Sequence, residues 1–402
     1  MKKRRKSALQ KKGMVEKNTT LVSWLAAISI CFQYICAIIT FNKISVVLAG
    51  CIIAVCFILL WRQIMILPYQ YLICIFGIIF VFFLSFLNAK DDLYTENYFL
   101  RFILFCLSAF LIGFQNYDTD KVTKCVIIIG ILTMPIVIIT NVGLMESGRQ
   151  MGYAYACLPI LIASFIGLEY EKRYKIFSFL NAGIILYKYA TFAPRGIWII
   201  TISVIMLLGY WHAINSSNRR IAFLKVIVVL SILIFGTIYV IRNLGVLIIA
   251  IDHFLVSKFN LKIYALDKYM RYLAKGDVLN GRVRLWSQAW NWIKKRPIVG
   301  YGIGAFESST GGSYCHNIFA QAFCEAGLFF VIPIFGYFIS LLCKIIREPY
   351  YGRKSNFTWL IFSFCCGMEM LFFSSAYWMY VPFWFFGGAF ISKTKMHRLG
   401  DV

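Results

Sequence analysis

The chain has 402 residues, 60% of them hydrophobic and only 14% charged, whereas soluble domains carry about 25% charged residues; a soluble globular core is excluded. Its formal charge of +24 is divided between short polar breaks and one long segment, which argues against nucleic acid as a partner. The apolar residues fall in runs of roughly 17 to 30, long enough to cross a hydrocarbon layer about 30 Å thick. Backbone groups find no water there, so the runs are predicted to be helices.

Lys2, Lys3, Arg4, Arg5, Lys6, Lys11, Lys12 and Lys17 precede the first run, as expected of a cytoplasmic tail, residues 1–20, facing anionic lipid. The run from Leu21 to Phe41 is too long for a signal-peptide core and lacks a small-residue cleavage site, so it reads as a retained helix. Twelve spans are predicted, at 21–41, 44–60, 66–87, 98–114, 125–142, 151–168, 176–191, 195–211, 221–241, 316–346, 357–373 and 378–392. With both termini cytoplasmic, the inner loops collect Arg62, Lys121, Lys172, Arg219, Arg353 and Lys393 with their basic neighbours. The short outer loops carry little beyond Lys43, Lys90, Arg149 and Lys188. The expected architecture is all-α and polytopic: a single transmembrane domain, 21–402, with one outer loop, 242–315.

That loop holds eleven Lys or Arg against four acids. A basic surface at the outer boundary of a membrane suits an anionic ligand such as a lipid phosphate or pyrophosphate; a solvated loop attracted to headgroups is the alternative. After the turn residues Asn280-Gly281, the spacing of Trp286, Ala289, Trp290 and Ile293 predicts a short amphipathic helix at the interface, with Trp on its membrane face and Lys294, Lys295 and Arg296 on its rim. Arg282 opens this helix, and a guanidinium can hold two phosphate oxygens at once. The series Gly300, Gly302, Gly304 lacks the strand–loop–helix setting of a dinucleotide motif and reads as a tight turn leading the chain back to the membrane.

Among the four histidines, His316 alone stands at the outer end of a helix directly after a Gly-rich loop. Its imidazole can accept a hydroxyl proton near neutral pH, although such a residue is often only a cap. Arg195 and Arg149 lie at outer helix ends among apolar residues, either holding an anion or snorkelling to headgroups. Glu325 lies nine residues beyond His316, on the opposite face of a straight helix; a partner on another helix or in loop backbone is expected for it. Glu369, near an outer helix end, is a candidate to balance an arginine or bind acceptor hydroxyls. Asp91, Asp92 and Glu96 offer oxygen ligands, but clustered arginines can neutralise a pyrophosphate alone, so neither metal nor cofactor is expected. Twelve of the 13 cysteines lie in apolar runs, Cys315 being the exception, and no disulfide framework is implied.

Asn280-Gly-Arg282-Val-Arg284-Leu-Trp286, then Arg296-Pro-Ile-Val-Gly-Tyr-Gly-Ile-Gly304, then His316-Asn317 and Glu325-Ala-Gly327, together resemble the bacterial O-antigen ligase and polysaccharide polymerase family, with Arg195-Gly196 similar to its upstream helix-end arginine. The resemblance implies a GT-C-like fold in the bacterial inner membrane, with the active site on the outer face. It implies an undecaprenyl-pyrophosphate-linked glycan as donor and a glycan or lipid A core acceptor, with membrane lipid and other polysaccharide assembly proteins as further partners. By that analogy Arg195 and Arg282, with Arg149 or Arg284, hold the pyrophosphate, His316 activates the acceptor hydroxyl, and Asn317, Glu325 and Glu369 contribute to substrate binding. O-antigen or capsular polysaccharide polymerase is the expectation, O-antigen ligase the alternative. From another class, a polysaccharide lipid transporter or flippase would call for related halves and a midplane site.

Overall fold

A computed structural model describes residues 19–38, 69–88, 93–142, 145, 147–192, 194–215, 249–258, 281–374 and 376–399, together with Leu224, Val228, Ser231, Val246 and Met270. Every regular element among them is helical. The expected tail, the span at 44–60, nearly all of that at 221–241, most of the loop before Gly281, and Lys43, Lys90, Asp91 and Asp92 lie outside the described residues, as does the side chain of Arg195.

In chain order the helices are α1 (Thr19–Ile30) and α2 (Phe32–Ile38), α3 (Tyr69–Asn88), α4 (Leu93–Phe114, with a π turn at Phe102–Cys106), α5 (Thr119–Ile139), α6 (Ser147–Ala156), α7 (Leu158–Gly167), α8 (Lys172–Phe192) and α9 (Arg195–Ile214). After the loop come α10 (Arg282–Lys295), α11 (Ala305–Thr310), α12 (Ile318–Tyr351), α13 (Lys354–Phe362) and α14 (Val381–Leu399). Among the described residues five helices are long and apolar enough to cross a membrane, six if the bent pair α1 and α2 is one span. The chain is therefore a polytopic membrane protein, and the described residues do not supply a count of twelve.

The helices pack through small residues and local caps. A Cβ on Gly113 of α4 would meet the carbonyl oxygen of Phe385 at 2.1 Å, and one on Gly388 of α14 that of Phe110 at 2.2 Å, so only glycine lets these backbones touch. Asn181 of α8 donates its side-chain amide to the Ile127 carbonyl of α5 at 3.0 Å, beside Gly130. Asp118 starts α5 by accepting from the amides of Asp120 and Lys121.

Three predicted helices are interrupted. The first bends by 60° between α1 and α2. The one at 357–373 passes from α13 into a π turn, Ser363–Met368, and a 3-10 turn, Glu369–Phe372, which ends on Phe373. The one at 316–346 breaks inside α12 at Gly327, whose φ is 62°. A Cβ there would lie 2.2 Å from the Ile298 carbonyl oxygen, and loop backbone fills the break: Tyr301 and Gly302 amides donate to the carbonyls of Cys324 and Glu325 at 2.8 Å, and Leu328 donates to Pro297 at 3.0 Å. The glycine series makes this approach possible. Gly300, Gly302 and Gly304 have φ values of 65°, 101° and 80°, and a Cβ on Gly300 would sit 2.5 Å from the Glu325 carbonyl.

The amphipathic helix forms as α10. Leu285, Ala289 and Ile293, spaced four apart, pack with Phe306, Cys315 and Cys324 in a small core of their own. Trp290 is 55% exposed beneath Lys294, whereas Trp292 turns inward against Tyr301 and Phe306. The aliphatic stripe thus docks α10 on α11 and the first turns of α12, while Trp286, at 38%, stays exposed with Trp290.

Candidate functional site

Arg282 and His316 meet at Phe373. The Arg282 Nη2 donates to the Phe373 oxygen at 3.0 Å, and the His316 ring lies beside the same stretch of backbone. Gly281, at φ 75°, turns the chain into α10 so that Arg282 falls on its first turn. His316 is held at φ 53°, the one positive φ outside glycine among the described residues, a conformation that side chains avoid unless their surroundings fix it. Those surroundings are Tyr314, whose ring lies 4.2 Å from the imidazole and whose hydroxyl is bonded to Ser374 at 3.1 Å, and Asn317, which caps α12 by accepting from the amides of Phe319 and Ala320.

Among the described residues the Nδ1 of His316 is buried without a hydrogen-bond partner. Unprotonated, such a nitrogen carries the lone pair that can receive a proton. Burial first, and then the Arg282 charge, push the imidazole down from 6.5 to about 4, so it is neutral at physiological pH.

The third side of this cluster is the start of α9. A Cβ on Gly196 would lie 2.5 Å from the Tyr155 hydroxyl and 2.8 Å from the Phe373 Cβ, so the backbone of Arg195-Gly196 stands directly against the residue that Arg282 and His316 share. Tyr155, 3% exposed, also feels the Arg282 charge. Helix α9 starts after Pro194, leaving first-turn amides at the positive end of a helix dipole.

The acids are arranged separately. Glu307 is 0% and Glu325 1% exposed, and Gln321 bridges them, donating to Glu307 Oε1 at 2.7 Å and to Glu325 Oε1 at 2.6 Å. Tyr98 donates to Glu307 at 2.9 Å, while Tyr377 and Trp378 donate to Glu325 Oε2 at 2.6 and 2.7 Å. Burial raises the Glu307 carboxyl above its usual range. Glu325 therefore finds Gln321 one turn back on α12 and its other two partners on another element, and it ties α12 to the Tyr377–Trp378 turn. Glu369 accepts from Ser203 at 2.6 Å, and its other oxygen is buried without a partner. Arg149 and Arg284 are exposed: Arg284 follows Arg282 by two residues and so leaves the face that meets Phe373.

Of the residues singled out from sequence, the structure unites Arg282, His316, Asn317 and the backbone of Arg195. It adds Tyr155, Tyr314, Ser374 and the Phe373 carbonyl, which sequence reasoning misses; only the aromatic at Tyr314, two positions before His316, offered a signal. Residues 190–335 match the family model Wzy_C, described as O-antigen ligase. The match covers about a third of the chain, so this segment is similar to the O-antigen ligase domain. It contains Arg195, Arg282, His316 and Glu325, while Phe373 and Tyr155 come from outside it. The family comprises O-antigen ligase- and polymerase-type membrane enzymes that transfer glycan from lipid-linked substrates. No curated protein and no solved structure matches the chain.

Proposed function

We propose that the protein transfers a glycan from an undecaprenyl-pyrophosphate carrier to an acceptor sugar hydroxyl at the outer face of the bacterial inner membrane, as an O-antigen or capsular polysaccharide polymerase. The observation that carries this reading is the meeting of Arg282 and His316 at the backbone of Phe373, beside the α9 N-terminus. Arg282, Arg195 and the first-turn amides of α9 supply positive charge where the pyrophosphate leaves. His316 Nδ1, neutral and unpartnered, takes the proton of the acceptor hydroxyl. The acceptor oxygen bonds to the anomeric carbon from the face opposite the leaving group, the bond from that carbon to the pyrophosphate oxygen breaks, and its electron pair stays on the pyrophosphate. Configuration inverts.

The description of the matched family favours a second reading, an O-antigen ligase whose acceptor is a lipid A core sugar. Purified protein in detergent, given an undecaprenyl-pyrophosphate-linked repeat unit as both donor and acceptor, is expected to produce a ladder of lipid-linked oligomers. Transfer only after lipid A core is added would replace polymerase by ligase. Absence of transfer to either acceptor, with movement of the lipid across a reconstituted bilayer, would replace both by a flippase.

A further inference from the structure

A second place in the molecule is shaped for a lipid. A groove of about 640 Å³ runs between α3, α12 and α14 and reaches the loop at Val299, Gly302 and Glu325. One glycine from each helix lines it, Gly77, Gly336 and Gly387, and a Cβ on any of the three would meet nothing within 4 Å. Each weakens its helix relative to alanine, and none recovers this through close packing. The adjacent Gly388 shows the contrast, since it presses on the α4 backbone. The hydroxyl of Tyr337, on the groove wall, is buried without a hydrogen-bond partner. Phe80 and Phe329 on the lip are 58% and 69% exposed, so the opening faces the side of the helix array, where only hydrocarbon can enter.

Charge at the loop end selects among occupants. Lys294, Lys295 and Arg296 are exposed just before Val299, and among the described residues no carboxylate lies within ion-pair distance of them. A chain in the groove would therefore carry its phosphate to three cations. The Arg282–His316 cluster lies beyond a separate wall: Phe330, which lines the groove, stacks on Tyr377 and Trp378, and both of these donate to Glu325. Resting on the glycan-transfer reading above, we infer that this groove is a second polyisoprenyl-phosphate site, seating the chain of the acceptor while the donor's pyrophosphate occupies the arginine site. Two lipid-linked substrates then meet across the Tyr377–Trp378 wall.

Native mass spectrometry of the full chain, titrated with undecaprenyl phosphate or with phosphatidylglycerol, tests this. The wild type is expected to retain two undecaprenyl phosphates, and Gly336→Leu with Gly387→Leu one, whereas Gly183→Leu on α8, also in open space, retains two. Replacing Lys294, Lys295 and Arg296 by alanine, which leaves the helices intact, is expected to weaken one of the two sites by roughly fivefold per cation. Two bound molecules in the filled-groove variant, or equal displacement by phosphatidylglycerol, would overturn the proposal. If no glycan is transferred yet groove variants still lose one lipid, the catalytic reading fails and the groove stands; transfer with unaltered lipid binding in those variants sinks the groove alone.

Discussion

The two ends of the helix array treat charge in opposite ways. At the end formed by the α7–α8 turn, the end of α9 and the start of α13, Glu169 bonds both Lys354 and His212, and Lys124 approaches Glu171 at 3.9 Å while lying over Tyr170 and Tyr174. Burial opposes ionisation of Glu169, but Lys354 and His212 hold its carboxyl below the usual range. At the loop end, cations and carboxylates among the described residues stay apart. Arg282 faces a carbonyl beside His316, and Glu307 and Glu325 are bonded by an amide, two phenols and an indole. Opposite charges that satisfy one another hold helices together; charges kept apart leave positive potential for an anion to find. The first arrangement is a clasp; the second leaves its cations open to a ligand.

Exchanging one arrangement for the other would break this contrast most strongly at Arg282. Arg282→Ala is expected to lower the transfer rate by about 100-fold or more, and Arg282→Lys by at least about tenfold, because a point charge cannot hold two oxygens in one plane. Steady-state rates with lipid-linked donor decide it, and a variant within a factor of two of wild type would remove Arg282 from the site. His316→Ala should cost roughly 100-fold. The imidazole's lowered pKa gives a sign as well. The unfolded chain binds the proton more readily than the folded one, so stability from this site is fully present above about 6.5 and is lost as the pH falls through about 4. The transfer rate should hold level from pH 8 down to 5.5 and drop only near 4, whereas an unperturbed histidine would place the fall near 6.5.

The acid network sharpens the comparison from the other side. Glu325→Ala would leave Tyr377, Trp378 and Gln321 with buried donors unmet, a loss of roughly 3 kcal/mol or more, seen as a lower Tm and faster proteolysis between α10 and α12; Glu325→Gln should recover most of it. Gly304→Ala, at φ 80° and with Tyr94 Cβ 2.9 Å from the new methyl, is expected to cost about 1–2 kcal/mol by the same readouts. The smallest effect belongs to the clasp: Glu169→Ala, partly open to solvent, should cost about 1 kcal/mol or less and leave the transfer rate unchanged.

Much of this was legible in the amino-acid order. Apolar runs announce α1 and α3–α9, turn residues place α10 within two residues, and Arg195, Arg282 and His316 are marked by charge and position before any contact is known. Other features were not. A glycine inside an apolar run reads alike whether it packs, as Gly388 does, or faces a void, as Gly387 does, because the difference lies in a neighbouring helix. The break at Gly327 depends on loop carbonyls and amides about 25 residues earlier in the chain, and local periodicity carries no trace of them.

Sequence by itself determined that this chain crosses a membrane as helices and that Arg282 and His316 stand in or beside a strongly basic segment, since those follow from hydropathy, charge and residue order. Tertiary structure alone decided that Arg282 reaches the carbonyl of Phe373 beside His316, that Glu325 joins a separate acid network, and that three glycines open one groove. The physical reason is the same in each case. A backbone carbonyl has no residue signature, and a void has none either; both become chemical features only when distant helices are packed around them.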